Sequence, residues 1–274
     1  MNDRGAALSA LAAATRGTSR RNRLKYFFRR IAHGSGRWIL RIRSSEISFS
    51  PGAVTLVLAP HPDDEVFGCG GLILRKRLAG QAVHVLYLTD GSASHPSHPT
   101  LSPAQLKVLR AKEALAALQV LRVEPANAYF LDIPDGSLDQ LDHDTQTALI
   151  KNIQDVLRVV KPDEIFLPHR RDGSSEHEAA FRIFHAVWSS LSPRPRRLEF
   201  PIWSGWSPRL LFRLAFTRAR VTRCSFSEYE AVKRQAIGAY RSQTEPVAPW
   251  TEPVLPAGFA EAFSTDEEFF FEID

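Results

Sequence analysis

The feature that most constrains this chain is an apolar run that stops abruptly in charge. Val54, Leu56, Val57 and Leu58 lead directly into Ala59-Pro60-His61-Pro62-Asp63-Asp64-Glu65, and Gly68, Gly70 and Gly71 follow where a helical pattern begins. Pro60 and Pro62 lack N–H donors, so a strand must end there. A buried strand, a polar turn and a Gly-rich helix start form the repeating unit of a parallel sheet covered by helices. One imidazole and three carboxylates at the end of such a strand are costly unless something positive binds beside them.

The rest of the chain repeats that alternation. Strands are predicted over 53–59, 82–88, 127–131, 164–168 and 197–203, and helices over 68–79, 103–120, 143–160, 175–190 and 228–241. The third helix has the clearest period: Leu149, Ile153, Val156, Leu157 and Val160 recur every three or four residues, and Lys161-Pro162 ends it. The expected fold is α/β: Rossmann-like, a mostly parallel sheet with helices on both faces. Ligands in such sheets sit beyond the carboxyl ends of the strands. Three polar clusters fall there: His61–Glu65, Thr89-Asp90-Gly91 and His169–His177.

The chemistry of the first cluster is that of a metal site. His61 and Asp64, three apart on a turn entering a helix, can aim at one point, which leaves Asp63 to orient or deprotonate a water. A hydrolytic site also needs a third protein ligand and an open position. His177 fits, since it follows a predicted strand end and starts a helix whose Phe181, Phe184 and Val187 face inward. Asp90 suits either a substrate hydroxyl or a turn. Arg110 and Glu113 share a helix face and read as an ion pair near the pocket rim. His95-Pro96-Ser97-His98-Pro99 reads as an exposed loop rather than a second chelate. Cys69 reads as a small buried residue, and with only Cys224 besides it the chain has no disulfide framework. The loops 91–102 and 203–227, with Trp203, Trp206, Arg209 and Arg213, are expected to wall the pocket.

The stretch Ala59-Pro60-His61-Pro62-Asp63-Asp64-Glu65-Val66-Phe67-Gly68-Cys69-Gly70-Gly71 resembles the signature of the LmbE/PIG-L family, the N-acetylglucosaminyl deacetylases. Leu88-Thr89-Asp90-Gly91, Arg110-x-x-Glu113-x-x-x-Ala117, Pro134-Asp135-Gly136-Ser137-Leu138, and Lys233 followed by Ala239-Tyr240-Arg241-Ser242-Gln243 extend the resemblance, in family order, across roughly 53–245. It implies a zinc-dependent hydrolase that removes acetyl from an N-acetylated amino-sugar conjugate, with one Zn2+ per chain or another divalent transition metal in its place. His61, Asp64 and His177 match the family's metal ligands and Asp63 its general base. Asp90, Arg110, His169, Asp172 and Ser174 are the candidate substrate contacts.

The second motif departs from the family. Where a His usually precedes the ligand His by three, this chain has Ser174. A hydroxyl donates a hydrogen bond but carries no charge, and an unreplaced oxyanion partner costs on the order of 2.7–4 kcal/mol of transition-state stabilisation. His169 and Arg171 are the nearest substitutes in sequence. The rival expectation is a catalytically weakened sugar- or lipid-binding protein that keeps the metal.

Charge divides the chain. Residues 1–50 hold eleven Lys and Arg against Asp3 and Glu46, about +9, so a net charge of +5 leaves the remainder near −4. Residues 1–45 are read as a basic arm, partly disordered or amphipathic, and 46–274 as the deacetylase-like domain. Within the arm Leu24, Phe27, Phe28 and Ile31 share a helix face among Arg and Lys, Gly34 and Gly36 are expected to stop that helix, and Trp38, Leu40 and Ile42 alternate with Arg as a short strand. Residues 20–43 are thus a candidate contact for an anionic membrane surface. No nucleic-acid module is recognised, so a nucleic-acid partner is not expected. Two isolated cysteines and the lack of a signal-like start lead to a cytoplasmic expectation, with peripheral attachment at the inner membrane surface.

Overall fold

The computed structural model describes residues 33–272. The predicted helix around residues 20–31 lies outside the described residues. The elements run α1 (33–43), β1 (Ser45–Glu46), β2 (Thr55–Ala59), α2 (Asp64–Leu78), β3 (Val83–Thr89), α3 (Pro103–Val120), β4 (Ala128–Ile133), α4 (His143–Val160), β5 (Glu164–Pro168), α5 (Ser175–Ser189), β6 (Arg196–Phe200), α6 (Trp203–Trp206), α7 (Pro208–Ala215), β7 (Arg220–Ser225), α8 (Glu230–Ile237), α9 (Arg241–Thr244), α10 (Phe259–Phe263) and β8 (Glu267–Glu272). Eight strands form one sheet in the order β1-β7-β8-β6-β5-β2-β3-β4. Every described pairing is parallel except those of β8 with β6 and β7. This is the expected mostly parallel, Rossmann-like α/β fold.

The strand sequences explain why both faces are covered. In β2, Leu56 and Leu58 pack under α4 and α5, while Val57 and Ala59 pack under α2, α3 and α8. β3 divides the same way, with Val83, Val85 and Tyr87 on one face and Leu86 and Leu88 on the other. Successive side chains point to opposite faces, so near-continuous apolar runs require helices on each side. Each fully buried Leu or Val contributes about 1.5–3 kcal/mol relative to exposure.

Helix boundaries follow local chemistry. Ser102 and Gln105 close a reciprocal capping box on α3, with Pro103 at its first position. Asp142 caps α4 by accepting from Thr145 N–H at 2.8 Å, and Lys161 ends it in the left-handed region, before Pro162. Glycine lets α2 approach the sheet: a Cβ on Gly68 would collide with the Phe200 ring, and one on Gly71 with Phe226.

Two expectations about the N-terminal part are corrected. Residues 33–43 are helical, so Gly34 and Gly36 stop nothing and the Trp38–Ile42 stretch is not a strand. Tertiary contact decided the matter. Leu40 is buried with Leu211, Leu214 and Phe271, Gly36 lies against Leu211, and Arg37 reaches the Glu267 carbonyl at 2.9 Å. Strands β7 and β8, and helices α7 and α10, were not predicted.

Chain order reverses at β2, because β3 and β4 add on one side and β5 and β6 on the other. The loops after β2 and β5 therefore face one crevice, where open α/β sheets bind ligands. No helix among the described residues is long and apolar enough to cross a membrane.

Candidate metal centre and its pocket

At the end of β2 the backbone turns so that Asp64 folds back on His61. The Asp64 Oδ2 accepts the His61 N–H at 2.9 Å and lies 3.2 Å from His61 Nδ1. From the first turn of α5, which follows β5, His177 brings Nε2 to 3.4 Å from the same oxygen. Donor atoms of His61, Asp64 and His177 all lie within 4.8 Å of one another, and the two rings are 5.4 Å apart, centroid to centroid.

Carboxylates on the far side fix both rings. Asp172 Oδ2 lies 2.8 Å from His177 Nδ1, and Asp172 also accepts the backbone N–H groups of Ile202, Trp203 and Ser204 and the Ser204 hydroxyl. Saturated with donors, Asp172 can only accept from His177, so Nδ1 carries the hydrogen and Nε2 points inward with its lone pair. Glu176 does the same for His61: its Oε2 is 2.7 Å from His61 Nε2, and its Oε1 accepts the Leu138 N–H at 3.0 Å. Asp135 Oδ1 lies 3.3 Å from the same His61 nitrogen.

This geometry tests whether a cation fits. Among the described residues, His177 Nε2 is buried without a hydrogen-bond partner and faces a carboxylate oxygen. A lone pair aimed at an anion is unfavourable unless a proton or a metal ion lies between them. Without a cation the proton takes that place. Burial, the largest influence, lowers the His177 pKa, but Asp64 and Asp172 outweigh it and raise it to about 9. Two imidazole nitrogens and a carboxylate oxygen suit a divalent transition ion such as zinc. His61, Asp135 and Glu176 form a second close group, but it uses the His61 nitrogen that Glu176 already engages and leaves the buried His177 nitrogen without a partner.

Asp63 stands beside this triad in a backbone conformation rare for a side-chain-bearing residue, φ 138° and ψ −26°. Strain of that kind costs on the order of 1–3 kcal/mol and persists only where neighbours enforce it. Here Glu65 Oε2 accepts the Asp63 N–H at 3.1 Å, and the Asp63 carbonyl accepts from Val66 and Phe67 N–H. Arg110 donates to the Pro62 carbonyl and lies 3.2 Å from Asp63 Oδ2. Burial raises the Asp63 pKa well above the ordinary carboxylate range; Arg110 opposes the shift and Asp64 adds to it. The same enclosure pushes the Glu65 carboxyl up to about 8 although Tyr240 hydrogen-bonds it.

The other sequence candidates separate. Arg110 does not pair with Glu113, because Asp63 and Pro62 take it, while Glu113 accepts the Ser242 N–H and hydroxyl at 2.7 Å each. Asp90 holds a turn, its Oδ1 accepting Ser92 N–H at 3.0 Å and Asp135 N–H at 3.2 Å. His169 is turned to Glu199 and the Phe271 ring and does not line the pocket. Ser174 does line it, and although it occupies the N-cap of α5 its side chain makes no cap bond. The His95–Pro99 stretch is a loop but not an exposed one at its histidines: His95 and His98 are buried against Trp250, and His98 Nδ1 accepts from Thr100 and Leu101 N–H. Cys69 is buried and free, as expected of a packing residue.

The pocket over the triad has a volume of about 330 Å3. Ala93, Ser94 and Trp203 wall it, as the loop assignment anticipated, but so do Gln243, Leu255 and Phe259, which it did not include. Trp206 is buried against Phe259 instead, while Arg209 and Arg213 face solvent. Sequence reasoning missed the orienting roles of Glu176, Glu65 and Tyr240. Glu176, adjacent to His177, was the one with a visible signal.

Comparison with known proteins agrees with this architecture. The N,N'-diacetylchitobiose deacetylase of Pyrococcus horikoshii, solved with an inhibitor, is 20% identical, with a TM-score of 0.57 over 77% of this chain and 74% of that one. A zinc-inhibited form of teicoplanin deacetylase is 18% identical, with a TM-score of 0.54 over 70% of this chain and 85% of that one. The 4-carboxy-2-hydroxymuconate hydratase of Pseudomonas putida is 21% identical, with a TM-score of 0.58 over 77% and 83%, so the fold also hosts a hydratase. Residues 56–188, which span the crevice from β2 through α5, match the family model PIG-L, described as GlcNAc-PI de-N-acetylase. The chain carries a PIG-L/LmbE-family domain, and that family is one of metal-dependent deacetylases.

Proposed function

We propose that this protein is a zinc-dependent N-deacetylase of an N-acetylglucosamine-type conjugate, with His61, Asp64 and His177 as metal ligands and Asp63 as general base. The observation that carries the reading is the inward, partnerless Nε2 of His177 beside Asp64, with Asp63 held next to it. A zinc-type cation supplies Lewis acidity there, polarising an amide carbonyl and acidifying water.

The chain's own groups do the rest. Arg110 occupies Asp63 Oδ2, which leaves Oδ1 as the freer atom to take the proton from the attacking water. Burial makes Asp63 a stronger base than an exposed carboxylate, so it can hold that proton and then deliver it to the departing nitrogen. Water adds to the acetyl carbon, the C–N bond breaks, and acetate and a free amine leave. The Ser174 hydroxyl lines the pocket and makes no cap bond, which supports it as a donor to the developing oxyanion. The Trp203 ring in the pocket wall offers an apolar face for a sugar.

The test is amine and acetate release from a panel of N-acetylglucosamine conjugates, with Asp63→Ala as the diagnostic variant. Turnover should fall on the order of 10²–10⁴-fold while zinc still binds stoichiometrically. Undiminished turnover would remove Asp63 from the mechanism. Zinc binding with no amine release from any conjugate would favour the weakened, binding-only reading that Ser174 first suggested.

A further inference from the structure

The face built by α1 and α7 points to a docking surface for an anionic lipid bilayer. This inference goes beyond the deacetylase reading and does not depend on it. Three of the most exposed large apolar side chains lie here: Trp38 at 64%, Ile42 at 63% and Phe216 at 70%. Trp38 and Ile42 are four apart on α1 and so share one face, opposite the buried Leu40. Phe216 lies close by, since Arg43 donates to the carbonyls of Ala215 and Thr217 on either side of it.

The charge of the segments that build this face has one sign. Residues 33–45 and 207–227 contain eight arginines and no Asp or Glu. Of these, Arg37 and Arg223 pair with Glu267 and Glu46 at 3.5 and 3.3 Å, and Arg41 and Arg220 have longer contacts to Glu267 and Glu272, at 3.7 and 3.9 Å. Among the described residues Arg209, Arg213 and Arg218 are exposed with no carboxylate within 4.0 Å. Exposed Trp, Ile and Phe ringed by arginines match the interfacial pattern in which apolar side chains enter the acyl boundary and guanidinium groups meet lipid phosphates. A protein partner of mixed charge would leave these arginines uncompensated. The surface borders the pocket, because Leu210 of α7 lies against Gly173 in its wall.

Co-sedimentation of the full chain with vesicles of phosphatidylcholine, alone or mixed with phosphatidylglycerol, tests the inference. Binding should be about tenfold or more tighter to the anionic vesicles and should weaken as salt rises. Trp38→Ser, Ile42→Ser and Phe216→Ser together should reduce it by about tenfold, as should neutralising Arg209, Arg213 and Arg218 with alanine. All six side chains are exposed, so circular dichroism should be unchanged. Equal binding to both vesicle types would overturn the proposal. So would unaltered binding by the two triple variants, which would assign attachment to residues 1–32. A dimer in lipid-free solution that the apolar variant dissolves would assign the face to a second copy of the chain instead.

Discussion

A single backbone angle organises the residues around the proposed metal site. Asp63 reaches the triad because its φ is positive, and Glu65 and Arg110 hold it there through the Asp63 N–H and the Pro62 carbonyl. Glu65→Ala would leave the buried Asp63 N–H and Tyr240 hydroxyl without partners, at about 1–3 kcal/mol each. A urea midpoint should fall accordingly, and turnover should fall further than the loss of folded protein explains. Glu65→Gln keeps an oxygen for one of those donors and should lie between wild type and Glu65→Ala on both measurements. Asp172 acts through His177. Asp172→Asn offers an amide where a full acceptor is required, so zinc affinity measured by competition with a chelating dye should drop about 10–100-fold. The grouping of His61, Asp64 and His177, with Asp63 apart, was legible from a strand-to-helix turn and a His at a neighbouring strand end. The rings' outer partners were not, because their positions depend on folded contacts such as the one Glu176 makes to His61, 115 residues away.

Among the elements, legibility followed burial. Strands β2, β3 and β5 are apolar nearly throughout because helices cover both faces, and a run such as Leu56-Val57-Leu58 has few other uses. Strand β7, Arg220–Ser225, is charged at its exposed positions, and β8 lies in an acidic segment where only Phe269, Phe270 and Phe271 signal burial. Helix α1 was misread because Trp38, Leu40 and Ile42 alternate with arginines, whereas only Leu40 turns inward and the other two face solvent. Helix α2 starts at Asp64 rather than at 68, so its glycines stand inside the helix, but the close approach to the sheet expected of them holds for a physical reason that can be checked. A methyl group at Gly71 would occupy the place of the Phe226 ring, which is itself buried in the core. Gly71→Ala should therefore destabilise by about 1–3 kcal/mol despite its better helix propensity, a sign that thermal unfolding resolves.

For the molecule as a whole, the proposed ligands come from opposite sides of the sheet's reversal point. His61 and Asp64 follow β2, while His177 follows β5, and more than a hundred residues containing β3, α3, β4 and α4 lie between. An unfolded chain holds no such site, so whatever free energy a cation gains there adds to folding. At a free zinc concentration about a hundredfold above Kd the gain is about 2.7 kcal/mol, or about 5–10 °C in Tm for a chain of this size. Removing zinc with a chelator should lower Tm by that amount, and restoring it should reverse the change. Asp63→Asn should keep the increment under the proposed mechanism, in which Asp63 orients and deprotonates water without ligating the cation. Asp64→Asn should erase most of it, since Asp64 is the oxygen that both imidazoles approach. If both variants lost the increment equally, the division of labour between the adjacent aspartates would be wrong. If neither did, the cation would be held elsewhere, and the crevice between β2 and β5 would need another explanation for its inward-facing histidine.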